Sequence, residues 1–394
     1  MGAVKPGGVS PDKKEKVVGQ QPMTYADVGV RYDDMDPFKV AAQKEAARTA
    51  ANAERLGWAH VPWSGGESTC LFAPNGGRAP GYLMIAHTEE GLGTKNLVAD
   101  AMYALTNELY YHFIAQDAVA MIVNDVITLG ALPLSIAMHL ATGSSDWFKD
   151  EARCLNLIRG WADACMLARC VWSGGETPTL KDVVMPKAFV LSGSVIGIVP
   201  NRSQHAMRPD EIQNGDAIIV IESSGVHANG LTLARAIADK LPDGYLTKLP
   251  DGRTYGETLL DPTLIYVRAI EACFGAGVRL HYGVNVTGHG WRKFMRAPQP
   301  HAYVIERLPT QLPIFDFLQE HSGIDDEQAY DTFNMGAGFA LYLPREDAED
   351  AISVIKNLGF RAFNAGHVEA AQQKSVAILP KNIEYGEETL AIRQ

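Results

Sequence analysis

A helix-length stretch that is apolar yet carries acids constrains this chain most. Residues 116–129 read QDAVAMIVNDVITL, where Asp117, Asn124, Asp125 and Thr128 interrupt a hydrophobic run. A run of this kind belongs in a core, and a carboxylate buried there is costly unless it finds a hydrogen-bond partner or a metal. Asp117 and Asn124 are nearly two helical turns apart and share a face, with Asp125 about 80° further round. Upstream lies Glu90-Gly91-Leu92-Gly93-Thr94-Lys95, a glycine turn that follows an apolar strand over 82–87. A lysine and free backbone amides on such a turn, with acids in reach, are the groups a metal-bridged polyphosphate requires. A plain reading stays open for each segment: a strand-to-helix turn with a solvated lysine, and a capping aspartate with a polar pair.

At 394 residues the chain exceeds what one hydrophobic core usually supports, so two domains are expected. Residues 1–23 read as a flexible tail, 24–202 as a first domain and 203–394 as a second that closes a cleft against it. A formal charge of −11 without a Lys/Arg cluster argues against a nucleic-acid surface. An anionic substrate then has to be held by local cations, backbone amides or a divalent ion. The five cysteines lack CxxC spacing, which favours reduced thiols and a cytoplasmic setting over a disulfide framework. The tail has no apolar signal segment, and no run reaches the roughly 18 apolar residues of a membrane span.

Strands and helices alternate through both halves, an α/β or α+β pattern. Asp36-Pro37 reads as an N-cap and first-turn pair for a helix to Gly57. A helix covers 116–129 and a strand 134–140, and Asp146 is expected to cap a long helix to about Arg169. A strand over 170–173 runs into Gly174-Gly175-Glu176-Thr177, and another covers 189–199. Polar residues 201–215 mark the boundary. Beyond it come a strand over 217–221, the turn 223–230 and a helix to Leu241. Another helix starts near Pro262, a glycine turn spans 287–290 ahead of Arg292 and Lys293, and a helix covers 346–358.

No GxxxxGK[ST], GxGxxG, HExxH or GxSxG motif is present, which removes several common site types. Glu176 is displayed at a strand end, a usual place for a ligand group, although a simple turn would look the same. His227 and Asn229 precede a helix whose free amides suit an anion. His289 alone reads as structural.

Together TYADVGVRYD, EGLGTK, QDAVAMIVNDVITLGALPL, HLATG, GGET, SSGVHANGLTL, LLDPTLIYV, VTGHG and TFNMGAG resemble the phosphoribosylformylglycinamidine cyclo-ligase family, the aminoimidazole ribonucleotide synthetases of purine synthesis. The resemblance runs from about Thr24 to Val368. It implies an N-terminal sheet domain that dimerises, a C-terminal α/β sandwich domain, and a site in the cleft between them. It implies a small-molecule nucleotide substrate, ATP and Mg²⁺, a homodimer, and neither nucleic-acid nor membrane partners. By resemblance, Lys95 and His227 are the catalytic residues. Gly91, Gly93, Thr94, Lys95, Asn124, Gly175 and Glu176 would meet ATP phosphates, and Glu90, Asp117 and Asp125 the metal. Ser64, Gly65, Gly66, His227, Asn229, Asn285 and His289 would line the substrate.

The chain departs from the family pattern at several of these places. Glu90 replaces an aspartate, Pro178-Thr179-Leu180-Lys181-Asp182 stands where the family has AEMPG, and Trp63–Ser68 replaces a Gly/Phe-rich loop. Asn285 occupies a histidine position, and a histidine appears instead at His289. These changes bear on substrate identity more than on fold. Two alternatives therefore stay open: a divergent superfamily enzyme phosphorylating another carbonyl or amide oxygen, and a non-catalytic nucleotide-binding paralogue.

Overall fold

In the first half, burial that alternates along 70–74, 84–89 and 189–199 places one sheet face against a core helix. The computed structural model describes residues 22–74, 83–200, 205–390 and 392. The expected tail lies largely outside them, as does the expected boundary at 202/203; Met23, however, is buried and donates its N–H to Ser322 O at 2.7 Å.

The chain enters through α1 (Tyr32–Ala47), then β1 (Trp58–His60), β2 (Cys70–Pro74) and β3 (Met84–Gly91). Helices α2 (Asn96–Thr106) and α3 (Tyr111–Val126) follow, then β4 (Leu132–Thr142), α4 (Glu151–Ala168), β5 (Val171–Glu176) and β6 (Phe189–Val199). These strands form a six-stranded sheet in the order β1-β2-β3-β6-β4-β5, antiparallel except for β4 and β5. Helix α3 packs on β3, β6 and α4. With its 3-10 extension it spans Tyr111–Leu129, long and apolar enough to cross a membrane, but 83% of that window is buried inside the protein. It is a core helix.

Among the described residues the other face of this sheet is left partly exposed. Ile85 stands beside Ile198, and His87 beside Ile196. Val190 and Ile196 are each 48% exposed, and Leu134 is 50% exposed.

The second half contains β7 (Ala217–Glu222), α5 (Leu231–Ala238), α6 (Tyr255–Leu259), α7 (Val267–Gly275), β8 (Tyr282–Asn285) and β9 (His301–Ile305). It continues through α8 (Pro313–Ser322), α9 (Asp326–Thr332), β10 (Ala337–Leu343), α10 (Ala348–Asn357), β11 (Ala362–Ala370), β12 (Ser375–Ile378) and β13 (Ile383–Gly386). Its seven strands pair in the order β13-β12-β9-β11-β7-β10-β8, antiparallel except for β12 and β9.

Local differences from the sequence reading have identifiable causes. Helix α1 begins at Tyr32 rather than Asp36, so Pro37 lies inside it; Asp33 and Asp34 supply the first-turn acids, and Asp36 is buried. The helix ends at Ala47, short of the expected stop; after a break at Arg48 and Thr49 the chain continues as 3-10 over Ala50–Leu56, which Gly57 ends at φ 74°. Asp150, not Asp146, caps α4, accepting from Arg153 N at 3.0 Å. Helix α7 starts at Val267, because side chains of α3 engage the backbone of 263–266 and keep it out of the helix.

Candidate active site at the seam between the sheets

Strand β3 delivers Glu90 and Gly91 to the seam. Leu92 anchors the turn in the core and donates its N–H to Leu191 O at 2.9 Å. Gly93 has φ +76°, a left-handed conformation that disfavours any side chain. Thr94 Oγ1 lies 3.5 Å from Thr232 Oγ1 at the start of α5, so the turn touches the second half directly.

Lys95 stands at the N-cap of α2 with no exposed surface. Its Nζ donates to Asp117 Oδ1 at 2.9 Å and to Asp261 O at 2.7 Å. Nζ is also 2.9 Å from Asp117 Oδ2, an electrostatic contact without hydrogen-bond geometry, which leaves that oxygen without a directed donor. Asp117 Oδ1 further accepts from Thr263 N at 2.7 Å and Thr263 Oγ1 at 2.5 Å. Burial pushes the Asp117 carboxyl up, while Lys95 and Thr263 pull it down.

The polar stripe on α3 is a clamp for one segment of the second half. Gln116 Nε2 donates to Thr263 O at 2.9 Å, and Asn124 Nδ2 donates to Leu264 O at 2.8 Å. Asn124 Oδ1 accepts from Tyr266 N at 2.9 Å. Asp117 and Asn124 do share a face, and what they grip is protein backbone. Both ends of the buried Asn124 amide are engaged, which leaves one N–H for any further partner.

One residue on, Asp125 leads elsewhere. Its Oδ1 accepts from Asn285 Nδ2 at 2.7 Å. Glu90 and Lys293 lie within electrostatic reach of it, and Lys293 Nζ is hydrogen-bonded to Thr287 Oγ1. Burial and the neighbouring Asp125 push the Glu90 carboxyl up, and burial pushes the Lys293 ammonium down. Among the described residues no group of three or more His, Cys, Asp or Glu side chains is arranged to hold a metal ion. Glu90 and Asp125 form a pair of carboxylates; Asp117 stays with Lys95.

His227 is buried, at φ 59°, and its Nε2 accepts the Ser224 N–H at 3.3 Å. Burial and the nearby Lys95 hold its pKa down at about 3, so the ring is neutral at physiological pH. With Nε2 accepting, Nδ1 carries the proton. Asn229 is half-buried, its Nδ2 3.8 Å from Met121 Sδ.

Other expected residues have structural duties. Ser64 is buried, with Oγ donating to Val61 O at 2.8 Å and accepting from Leu71 N at 2.9 Å. Gly65 follows it in that turn, and Gly66 O accepts from Arg296 Nη2 at 3.0 Å. His289 stacks on Tyr32 at 3.8 Å, and its Nε2 is 3.0 Å from an Asp36 carboxylate oxygen. This sandwich pins the N-terminal segment to the 287–290 turn. Gly175 is required by close backbone approach, since a Cβ there would sit 1.9 Å from Met138 O. Glu176 is exposed and aligns through His139 and Ser192 with Gly91. That row crosses three strand spacings, so it stands about 14 Å from the glycine turn.

Thr263, Asp261, Tyr266 and Lys293 belong to the site and are not evident as site residues in the sequence. The signal for Lys293 was a lysine inside a run, Trp291 to Met295, whose flanking hydrophobics are all buried.

Residues 78–199 match the family model described as AIR synthase related protein, N-terminal domain, and residues 213–378 match the corresponding C-terminal domain. The phosphoribosylformylglycinamidine cyclo-ligase of Myxococcus xanthus is 33% identical over 363 residues, 90% of this chain and 99% of that protein. This chain belongs to the phosphoribosylformylglycinamidine cyclo-ligase family. The cyclo-ligase of Symbiobacterium thermophilum is 32% identical over 359 residues, 89% of this chain and 96% of that one. The cyclo-ligase family is a family of ligases, and its two-domain AIR synthase-like fold recurs more widely. A HypE–HypF complex aligns with TM-score 0.55 and 16% identity over 77% of this chain and 89% of that chain. AaThiL complexed with AMPPCP and TMP aligns with TM-score 0.52 and 15% identity over 82% of this chain and 91% of that chain.

Proposed function

We propose that this protein closes the imidazole ring of aminoimidazole ribonucleotide from formylglycinamidine ribonucleotide, using ATP. The observation that carries the reading is Lys95: a sealed cation on a glycine turn, fixed between Asp117 of one half and Asp261 O of the other. In this reaction the formyl oxygen takes the γ-phosphoryl group of ATP and ADP departs. The amidine nitrogen then attacks the activated carbon, the C–O bond breaks, and inorganic phosphate and a proton leave. The protein's work is to neutralise phosphate and align two groups of one substrate.

With one N–H beyond those it gives to Asp117 and Asp261 O, Lys95 would supply charge to a phosphate that reaches the seam, with Gly91, Gly93 and Thr94 offering backbone approach. Asp117 and Thr263 orient Lys95 rather than bind metal. Glu90 and Asp125 suit one Mg²⁺, because that ion is commonly held by one or two carboxylates plus phosphate oxygens and water. Bound there, it would offset phosphate charge. Neutral His227, beside Lys95, offers Nδ1–H as a hydrogen-bond donor and not a positive charge. Asn229 and Asn285 line the seam, and Asn285 also orients Asp125. Glu176, at the sheet edge, would meet a part of the nucleotide away from Lys95.

The outer face with exposed Val190 and Ile196 and half-buried Ile85 and Ile198 suits a second copy of this chain, giving a homodimer through the first sheet. The net charge of −11 and the buried 111–129 helix support a reading without nucleic-acid or membrane partners, in the cytoplasm.

A divergent reading keeps the same chemistry on another amide or carbonyl oxygen, and Glu90 and Asn285 at the seam favour it. Substrate labelled with ¹⁸O at the formyl oxygen separates the two. The label should appear in inorganic phosphate; its retention in water or substrate would sink the proposed activation step.

A further inference from the structure

Lys293 takes no part in holding Lys95 or the 263–266 segment, yet it is buried at the seam. It sits in a 3-10 turn, Gly290–Met295, among buried Trp291, Phe294 and Met295. That turn is fixed from several sides. Gly290 has φ +51°, and a Cβ there would lie 2.2 Å from Tyr330 O. Trp291 Nε1 donates to Asn334 O at 2.8 Å, and Arg296 Nη2 reaches Gly66 O. The ammonium is therefore directed inward, with Thr287 Oγ1 holding it.

Two carboxylates, Asp125 and Glu90, lie within its electrostatic reach, and among the described residues neither closes a direct ion pair with it. Asp125 is in turn fixed by Asn285, two residues before Thr287. One short segment, 285–293, thus supplies the group that orients an acid and the cation that faces it. A fixed ammonium beside Asp125, and beside a Glu90 carboxyl that burial and Asp125 push toward its protonated form, lowers the pair's attraction for a divalent ion by direct repulsion. Extra phosphate oxygens would restore that attraction.

We propose that Lys293 is a built-in cation that keeps divalent metal off the Glu90–Asp125 pair until nucleotide phosphates arrive. Metal entry is thereby coupled to nucleotide binding. This rests on reading Glu90 and Asp125 as the magnesium-facing acids, and not on the identity of the substrate.

The test is Mn²⁺ binding to the nucleotide-free, full-length protein, followed by the electron paramagnetic resonance signal of the free ion. The unmodified protein should show no tight site until a non-hydrolysable ATP analogue is added. Lys293→Gln should gain about one Mn²⁺ per chain, bound at least tenfold more tightly than by the unmodified protein. Adding Asp125→Asn should abolish the gain, and Lys293→Arg should behave like the unmodified protein. A tight, Asp125-dependent Mn²⁺ site in the unmodified, nucleotide-free protein would overturn the proposal without any variant. So would a folded Lys293→Gln that binds Mn²⁺ no better than its parent; if it unfolds, Lys293→Met is read the same way. Turnover plays no part in this readout. Missing cyclo-ligase activity with an intact Mn²⁺ gain would refute the functional reading alone, and the reverse result would refute this proposal alone.

Discussion

Lys95 and Asp117 meet at 2.9 Å with both side chains wholly shielded from solvent. A sealed pair of this kind is destabilised far more by losing one member than by losing both, since one loss leaves an unpaired buried charge. Lys95→Ala should therefore cut turnover about a hundredfold or more and also cost about 3–5 kcal/mol of stability. Lys95→Met combined with Asp117→Asn should recover most of the stability, measured by urea unfolding, while remaining inactive. Full stability in the single variant would show that the pair is open to water.

Asp117→Asn distinguishes an orienting role from a metal-binding one. It should impair turnover by leaving Lys95 without its counter-charge, while the magnesium concentration for half-maximal activity stays unchanged. A large shift in that concentration would return Asp117 to the metal.

Asn124 grips Leu264 O and Tyr266 N from the first half. Asn124→Leu leaves two buried backbone groups without partners, at about 1–3 kcal/mol each. The midpoint of thermal unfolding should fall, and hydrogen exchange at Tyr266 should quicken. Unchanged exchange there would contradict the clamp.

His227 makes stability depend on pH. Its folded pKa, about 3, lies below the ordinary value of 6.5, so the unfolded chain binds the proton first. Above about pH 6.5 both states are neutral and nothing changes. As pH falls from there toward 3, stability drops by up to about 1.4 kcal/mol per pH unit from this group. His227→Asn, which tolerates the left-handed backbone, should flatten that decline in urea midpoints between pH 6.5 and 4.5. A parallel decline would assign the acid sensitivity to other groups, such as His289.

Much of this architecture is legible in the residue pattern, and the exceptions share a cause. Strand β6 reads correctly from Phe189 to Val199 because it is an unbroken run of apolar and small residues. The start of α1 misreads because Asp36 resembles a cap, while its partner His289 lies 253 residues away. The α3 stripe is visible, but its target is not: periodicity shows that Asp117 and Asn124 share a face and says nothing of what meets it. Lys293 is hidden for the same reason, since its acids come from two distant segments. Contacts local in sequence leave a pattern, and contacts across the seam do not.

The outer face of the first sheet gives a prediction about assembly. Ile196→Lys places a charge amid exposed apolar residues without disturbing the inner core. Sedimentation should show the parent as a dimer and the variant shifted toward monomer at equal concentration. Identical sedimentation would move the interface elsewhere.

The most direct test of the central claim is a turnover measurement with Mg-ATP and formylglycinamidine ribonucleotide, following ADP and aminoimidazole ribonucleotide together. Both should appear in equal amounts, and Lys95→Met should abolish both. ADP release without the imidazole product, or product formation that survives Lys95→Met, would contradict it.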